Sequence, residues 1–308
     1  MLRSLLLYLS EAPWARRLMM NWGVARRVAL RFVAGEMDDQ AVEAVRAVNQ
    51  KGMTATLDLL GESVTDEQEA RAMAASYQKL MSRVAAEQLD TWISVKLTAL
   101  GLDISEALAH DNMRSLLDCA RDTDLRVTID MEGSDITQTT LDMFHALRAE
   151  GYDNVRAVIQ AYLYRSDDDI AALAAVGAGV RLCKGAYNEP PEIAYPKKAD
   201  VDEAYKRQTR VLLDAAAQGL GYPGIATHDE AMIEAAKQYA ADHAIARHAY
   251  EFQKLYGVRT NLQEELAAAG YNVRVYVPFG QAWYPYFMRR LAERPANIWF
   301  FVSNFFKA

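Results

Sequence analysis

The feature that most constrains the fold is an alternation of short apolar runs with longer helical stretches, which begins near residue 52 and repeats eight times. The apolar runs are rich in β-branched residues and are predicted strands at 53–59, 92–97, 126–131, 155–161, 179–184, 223–228, 249–255 and 272–278. The predicted helices lie near 66–88, 106–121, 136–149, 167–176, 201–218, 230–241, 260–269 and 281–292. Strands that alternate with helices pair in parallel through right-handed crossovers, so the pattern indicates an α/β protein.

Eight strand–helix units favour a (β/α)8 TIM-type barrel, although the repeat is also long enough for an open, doubly wound sheet. The absence of a dinucleotide fingerprint supports closure, because Gly177-Ala178-Gly179 precedes a strand and G-x-G-x-x-G follows one. No Pro-, Gly- or Ser-rich linker divides the repeat. We therefore predict an N-terminal helical segment, 1–48, and one barrel domain, 49–308, that ends in a C-terminal helix.

Composition excludes several classes of protein. The 308 residues are 51% apolar and 24% charged, which suits a full core and argues against disorder. The net charge of −7 argues against general nucleic-acid binding. Cys119 and Cys183 give no disulfide framework, and the five histidines form no convincing metal set, so we expect no metal. No apolar run approaches the roughly 18 residues that span a bilayer, and a reducing cytoplasm is the simplest compartment.

Both ends of the chain have two interpretations. Five arginines, at positions 16, 17, 26, 27 and 31, alternate with apolar residues in the N-terminal segment. They form either a solvated helix face or a surface for a membrane or a partner. The apolar tail, 298–302 with Phe305 and Phe306, either packs as a helix on the barrel wall or makes an oligomer or membrane contact.

A polar residue lies at the end of every predicted strand. These residues are Asp58 with Glu62 beyond it, Lys96, Asp130, Gln160, Arg181 with Lys184, Thr227-His228-Asp229, Glu251 with Gln253, and Tyr276. In a barrel the strand ends meet at the C-terminal mouth, so we predict a functional site there. Taken singly, the residues have plainer interpretations, such as structural ion pairs for Arg181 and Lys184, or a core histidine for His228. On the residues alone, Lys96 also suits the Schiff-base lysine of a lyase or aldolase.

The last predicted helix carries Arg289, Arg290 and Glu293, which a surface charge cluster would explain. A helix that follows a barrel strand normally runs down the outside, with about 1.5 Å of rise per residue, so its middle lies away from the mouth. The two arginines reach a ligand there only if this helix lies across the top of the barrel.

Eight segments of the chain together resemble the proline dehydrogenase family, in its short monofunctional bacterial form. The segments are 57–62 (LDLLGE), 95–98 (VKLT), 129–132 (IDME), 181–187 (RLCKGAY), 226–229 (ATHD), 251–257 (EFQKLYG), 273–278 (VRVYVP) and 286–293 (YFMRRLAE). Their number and order carry the resemblance, which covers the chain from about residue 20.

The resemblance implies a distorted (β/α)8 barrel with N-terminal helices and with its last barrel helix placed over the C-terminal mouth. It implies an FAD enzyme that oxidises L-proline to Δ1-pyrroline-5-carboxylate, the first step of proline catabolism, by hydride transfer from C5 to flavin N5. Electrons would pass to a membrane quinone, and a pyrroline-5-carboxylate dehydrogenase would be a further partner. The expected location is the cytoplasm, with peripheral contact at the inner face of the membrane as an alternative.

The resemblance also implies roles for individual residues. Arg181 would stabilise the reduced flavin, and Asp130 would be an active-site aspartate that orients Lys96 or Arg181. Substrate would be bound by Lys96, Leu255, Tyr276, Arg289, Arg290 and Glu293. Glu62 would be a gate residue that pairs with Arg289 when the site closes. The flavin would contact Met131, Gln160, Arg181, Cys183, Gly185, Tyr187, Thr227 and His228.

Two other function classes compete with this interpretation. A lyase or aldolase that uses Lys96 or Lys184 would need no flavin. A barrel retained only as a binding scaffold would need neither the full set of cations nor the carboxylates. The sequence leaves open the electron acceptor, the oligomeric state and activity on hydroxyproline.

Overall fold

In a computed structural model of the chain, the strands form a closed parallel barrel. The structure describes Ala12, Trp14 and residues 29–293, except for the side chains of Ala292 and Glu293. The strands are β1 (Thr54–Leu59), β2 (Thr91–Val95), β3 (Val127–Ile129), β4 (Val155–Gln160), β5 (Val180–Cys183), β6 (Gly224–Ala226), β7 (Glu251–Leu255) and β8 (Asn272–Phe279). Each strand pairs with the next in sequence and β8 pairs with β1, so the predicted barrel is confirmed and the open sheet is excluded.

Helices alternate with these strands along the chain. Among the described residues they are α1 (Asp38–Asn49), α2 (Glu67–Ala86), α3 (Glu106–Asp122), α4 (Thr137–Ala149), α5 (Ser166–Ala175), α6 (Lys198–Ala217), α7 (Glu230–Asp242), α8 (Thr260–Ala268) and α9 (Trp283–Glu293). Short 3-10 turns lie at Ser134–Ile136 and Arg247–Ala249. Within the described part of the chain, no helix has both the length and the apolar character that crossing a bilayer requires.

The strands turn apolar side chains outward and polar side chains inward, because successive residues of a strand face opposite sides. Leu57 and Val95 belong to the same hydrophobic core as Tyr77 and Leu80 of α2. The intervening strand residues include Asp58 and Ser94, which are fully buried yet polar. The outer faces of the strands therefore hold the helices, and a polar interior leads to the mouth.

Helix α9 reaches the C-terminal mouth of the barrel. Its apolar residues, among them Phe287 and Leu291, share a hydrophobic cluster with Phe32 and Val33 from the N-terminal side. Arg289 in its second half contacts Glu62, in the loop that follows β1. An ordinary outer helix would not bring that residue to the mouth, so α9 takes the position that the sequence required of it.

Two predictions fall on residues outside those described. The N-terminal arginines at 16, 17, 26 and 27, and the apolar tail, 298–302 with 305 and 306, lie outside the described residues. The boundary between residues 48 and 49 stays a prediction, although α1 does end at Asn49 and lead directly into β1.

Candidate active site

Side chains from five neighbouring parts of the barrel meet at its C-terminal mouth. They are Asp58 of β1, Lys96 just after β2, Asp130 just after β3, Arg181 of β5 and Tyr276 of β8. Lys96 and Asp130 lie one residue beyond their strands, which end earlier than the sequence predicts. Both side chains keep the inward direction of the residue two before them, Ser94 in β2 and Thr128 in β3.

The Tyr276 hydroxyl lies between two carboxylates. Its oxygen is 2.7 Å from Oδ2 of Asp58 and 2.7 Å from Oδ2 of Asp130. A hydroxyl donates one proton, so both contacts are satisfied together only when one carboxyl group is protonated. Burial raises the pKa of Asp58, and the Asp130 charge adds to this effect while Lys96 opposes it. Burial and the two carboxylates raise the pKa of Tyr276 well above its ordinary value, so this phenol keeps its proton.

Lys96 is held by Asp58. Its ammonium donates to Oδ1 and Oδ2 of that carboxylate at 3.3 and 3.2 Å. Burial lowers the pKa of Lys96, but the charges of Asp58, Asp130 and Glu62 outweigh burial and raise it above the ordinary value. A Schiff-base lysine must lose its proton to act as a nucleophile. The site therefore keeps Lys96 as a cation, which disfavours the lyase alternative.

Arg181 is fixed in place by three hydrogen bonds. Its Nη1 donates to Asp130 Oδ1 at 2.5 Å, its Nε to Gln253 Oε1 at 2.6 Å, and its Nη2 to Ser94 Oγ at 2.9 Å. The guanidinium carbon also lies 5.1 Å from the centre of the Tyr276 ring. The sequence left open whether Asp130 orients Lys96 or Arg181, and the direct partner of Asp130 is Arg181.

Arg289 and Glu62 form a two-pronged ion pair. Nη1 and Nη2 of Arg289 donate to Oε1 and Oε2 of Glu62, each at 2.9 Å. Burial lowers the pKa of Arg289, but Glu62 outweighs this effect and raises it. Arg290 lies with its guanidinium carbon 5.2 Å from the Tyr286 ring centre. The side chain of Glu293 lies outside the described residues.

The residues predicted to contact a flavin lie along the β3–β6 side of the mouth. Gln160 links two loops there, since its Nε2 donates to the Glu132 carbonyl at 2.8 Å and its Oε1 accepts from the Ala186 amide at 3.1 Å. Cys183 donates through Sγ to the Ile159 carbonyl at 3.4 Å. Met131 is buried next to the end of β3.

Gly185, Thr227 and His228 lie on the same side of the mouth. Gly185 has φ +123°, and a Cβ there would lie 2.2 Å from the Tyr162 ring. The Tyr162 ring and the positive φ are therefore enough to require glycine at this position, without any ligand. Nε2 of His228 accepts from the Leu255 amide at 2.9 Å, which places the proton of the neutral ring on Nδ1. The Thr227 hydroxyl accepts from the Asp229 amide at 3.1 Å.

Tyr187 lies between these two halves of the mouth. Burial raises its pKa to about 12, while Arg289 and Lys96 lower it and Glu132 raises it further. Each influence has the sign expected of a cation or a carboxylate acting on a phenol.

Lys184 does not join the mouth. Its ammonium donates to Asp202 at 2.5 Å and to Asp229 at 2.7 Å, and Lys198 shares both carboxylates. Lys184 lies one residue beyond β5, and its two carboxylate partners come from α6 and from the residue that precedes α7. The structural ion pair is therefore correct for Lys184, and the lyase alternative loses its second lysine.

Glu132, for which no role was predicted, lies at the rim of the mouth. Its carboxylate accepts from the Thr98 hydroxyl at 2.6 Å and from the Thr98 amide at 3.2 Å. Burial raises its pKa to about 6, while the Thr98 hydrogen bonds and the Lys96 charge lower it. Glu132 lies beyond the end of β3, where the strand pattern no longer predicts which way a side chain points.

Comparisons with known proteins agree on one family. A family model described as Proline dehydrogenase matches residues 41–302. Proline dehydrogenase 2 of Bacillus subtilis (strain 168) is 42% identical over 299 residues, which are 97% of this chain and 96% of that protein. Proline dehydrogenase of Deinococcus radiodurans is 39% identical over 99% of this chain and 98% of its own length.

A solved structure gives the same result. The structure of proline utilization A (PutA) from Bdellovibrio bacteriovorus, inactivated by N-propargylglycine, matches with a TM-score of 0.82 at 28% identity. The match covers 87% of this chain and 33% of the PutA chain, so this protein corresponds to one part of a longer one. Fold, family model and full-length relatives lead to one conclusion: the chain belongs to the proline dehydrogenase family of oxidoreductases.

Proposed function

We propose that this chain oxidises L-proline to Δ1-pyrroline-5-carboxylate with FAD as its cofactor, as the first step of proline catabolism. The observation that carries the proposal is the buried set of cations and carboxylates at the mouth of a barrel of this family. Proline combines a carboxylate with an apolar ring. Arg289 and Lys96 supply charge for the carboxylate, while the Tyr276 ring and Leu255 supply apolar surface for the ring.

Arg289, Arg290 and Lys96 would bind the substrate carboxylate. Arg289 already presents both terminal nitrogens to a carboxylate, since it holds Glu62 at 2.9 Å through each. The same fork suits the carboxylate of proline, and Lys96 adds a compact charge. Glu62 would act as a gate residue, defined here as one whose pairing with Arg289 closes the site over the ligand. Glu293 would support the arginines or meet the amine.

Oxidation removes a hydride from C5 and a proton from the ring nitrogen, and a carbon–nitrogen double bond forms between these two atoms. FAD, when bound, supplies the hydride acceptor at its N5 atom. The protein's part is to hold the proline ring in one orientation, which converts an encounter of two molecules into a reaction within one complex. Asp130 contributes by holding Arg181, and Asp58 contributes by holding Lys96.

The chemistry of the β3–β6 side fits a flavin. Arg181 is a buried cation that would stabilise the more negative reduced ring. Gln160 offers an amide, His228 carries its proton on Nδ1, and the Gly185 turn adds no side chain of its own. We propose that FAD is held by Met131, Gln160, Arg181, Cys183, Gly185, Tyr187, Thr227 and His228.

We further propose that electrons leave to a membrane quinone through peripheral contact, and that a pyrroline-5-carboxylate dehydrogenase takes the product. Residues 49–308 would form the catalytic unit. Both cysteines are free thiols, which supports a reducing compartment such as the cytoplasm. Bifunctional protein PutA of Escherichia coli (strain K12) is 29% identical over 88% of this chain and 24% of its own length. Its name indicates a second activity beside the part that matches this chain, which supports a partner enzyme.

An anaerobic absorbance titration tests the proposal. The purified protein should show flavin absorbance that bleaches on addition of L-proline and stays unchanged with D-proline. Flavin that L-proline does not bleach would contradict the substrate and leave the cofactor standing. Protein that takes up no FAD on reconstitution would contradict the cofactor.

A further inference from the structure

The loop that carries Glu62 is attached to the rest of the protein through Thr98, which has had no role so far. The Ser63 amide donates to the Thr98 hydroxyl at 3.1 Å, and the Val64 amide donates to the Thr98 carbonyl at 3.1 Å. Thr98 follows β2, and 35 residues of sequence separate it from Ser63. Two consecutive amides next to Glu62 therefore depend on one residue of a neighbouring loop.

Ser63 adopts a backbone conformation that needs support. Its φ is +54°, in the left-handed region that residues with a Cβ avoid at a cost of about 1 kcal/mol. Such conformations persist where surrounding contacts over-determine them. The hydrogen bond from the Ser63 amide to Thr98 is a contact of this kind. Its loss would allow Ser63 to relax and would move the backbone that aims Glu62 at Arg289.

The Thr98 hydroxyl can accept from Ser63 because Glu132 takes its proton. The hydroxyl donates to Oε1 of Glu132 at 2.6 Å, and the Thr98 amide donates to Oε2 at 3.2 Å. With its single proton committed to a carboxylate, the hydroxyl oxygen turns its lone pairs toward Ser63. Donation to a charged acceptor also makes that oxygen a better acceptor itself.

Glu132 extends this chain of contacts to the other side of the mouth. Its carbonyl accepts from Gln160, whose Oε1 accepts from the Ala186 amide in the turn after β5. We propose that Thr98 is a positioning residue that presents Glu62 to Arg289, with Glu132 fixing the direction of its hydroxyl. The inference rests on the proposed gate role of Glu62 and adds the element that sets the position of the gate.

Thr98→Val and Thr98→Ser form a matched pair for the test. Valine keeps the shape and both main-chain contacts but removes the hydroxyl, whereas serine keeps the hydroxyl. We expect Thr98→Val to raise the KM for L-proline about tenfold, the effect of losing roughly one buried hydrogen bond, with a much smaller change in kcat. Thr98→Ser should stay within about twofold of the wild type. Adding Ser63→Gly to Thr98→Val should recover part of the loss, because glycine adopts the left-handed conformation without strain.

Hydrogen exchange resolved to single amides supplies a readout independent of activity. In Thr98→Val the Ser63 amide should exchange at least several times faster, while the Val64 amide, bonded to the retained carbonyl, serves as the internal control. Glu132→Gln is a second route to the same effect, because its amide group can donate to the hydroxyl and reverse the direction of that bond.

Glu62→Gln, measured in parallel, separates the inference from the gate role. If Glu62→Gln raises KM and Thr98→Val changes neither KM nor exchange at Ser63, the gate role stands and the inference is wrong. If Thr98→Val speeds exchange at Ser63 and neither variant changes KM, Thr98 does hold the loop and the gate role of Glu62 is wrong. Equal rises in KM for Thr98→Val and Thr98→Ser would also overturn the inference.

Discussion

The two ends of the barrel interior both bury charged residues, and they do so differently. At the mouth, each of Lys96, Arg181 and Arg289 has a carboxylate partner. At the opposite end, where the strands begin, Arg274 pairs with Glu251 at 2.9 Å and also lies over the Trp92 ring, 3.4 Å from its centre. On the proposed function, the cations at the mouth would exchange their carboxylate partners for the carboxylate of the substrate. Arg274 and Glu251, at the end where the strands begin (the lower end), would stay paired with each other.

Arg156 shows the same difference between the two ends, because it bonds to a main-chain carbonyl and an aromatic ring instead of a carboxylate. It is fully buried at the lower end, where its Nη2 donates to the Tyr222 carbonyl at 2.7 Å and its guanidinium carbon lies 4.4 Å from the Trp92 ring centre. Burial lowers its pKa to about 9, which Glu251 only partly opposes. In a barrel of this type the mouth carries chemistry and the lower end carries stability. The predictions below test that division, from the largest expected effect to the smallest.

Glu251→Gln should have the largest effect of the four variants, and the effect should be a loss of stability. The change leaves Arg274 buried beside Arg156 without a charged partner, a loss of about 3–5 kcal/mol in the free energy of unfolding. Denaturant unfolding of the flavin-loaded protein measures it. Combining the change with Arg274→Met should restore a large part of the loss, since the stranded charge is then removed. If Glu251→Gln alone is as stable as the wild type, the lower end does not carry the stability assigned to it.

Arg289→Met should leave stability nearly unchanged and weaken substrate binding. Losing a charge-assisted, two-pronged contact raises the KM for L-proline by about 100-fold, which corresponds to roughly 3 kcal/mol. A pyrrolidine substrate that lacks the carboxylate is the control, and its KM should change little. Equal effects on both substrates would contradict a carboxylate-binding role for Arg289.

Glu132→Gln should change how the stability of the protein depends on pH. The pKa of Glu132 is raised to about 6 by burial, so the folded protein binds this proton more tightly than the unfolded chain does. The wild type therefore loses up to about 2 kcal/mol of stability from this group as pH rises from about 4 to about 7.5, and the variant does not. The stability difference between variant and wild type should shift by that amount in favour of the variant. A difference that is constant with pH would mean that Glu132 ionises like an exposed glutamate.

Tyr276→Phe should have the smallest effect of the four. Phenylalanine keeps the ring that packs under Arg181 but removes the hydroxyl that both Asp58 and Asp130 contact. We expect the KM for L-proline to rise by several-fold, about 1 kcal/mol, with the flavin spectrum and the unfolding midpoint nearly unchanged. A large loss of stability would instead show that the Tyr276 hydroxyl serves the fold more than the substrate, and that the mouth also carries stability.

The resemblance of individual segments carried more information than their periodicity. The strand pattern alone left Lys96 open to a Schiff-base role. The nearby carboxylates raise its pKa and keep it protonated, which disfavours that role. The pattern also grouped Lys184 with Arg181, and the structure gives them different partners, Asp202 for Lys184 and Asp130 for Arg181. Glu132 and Thr98 were missed because they follow the ends of strands, where side-chain direction is set by loops and no longer by a period of two.

The sequence by itself determined the architecture and the family. Eight alternating units indicate parallel strands and favour a barrel, and the pairing of β8 with β1 then excludes the open sheet. Because strand ends of a barrel meet at one edge, the sequence also placed Asp58, Lys96 and Arg181 at the mouth. The same rule was wrong for Glu251, which is the first residue of β7 and lies at the opposite end of the barrel. The resemblance implied the pairing of Glu62 with Arg289, and only the tertiary structure decided that Asp58 holds Lys96 and that Asp130 holds Arg181. Tyr276 lies 218 residues from Asp58 and 146 from Asp130, and no local pattern links residues that far apart. Such partners are selected by barrel closure, which brings β8 beside β1 and sets the distances on which each charge depends.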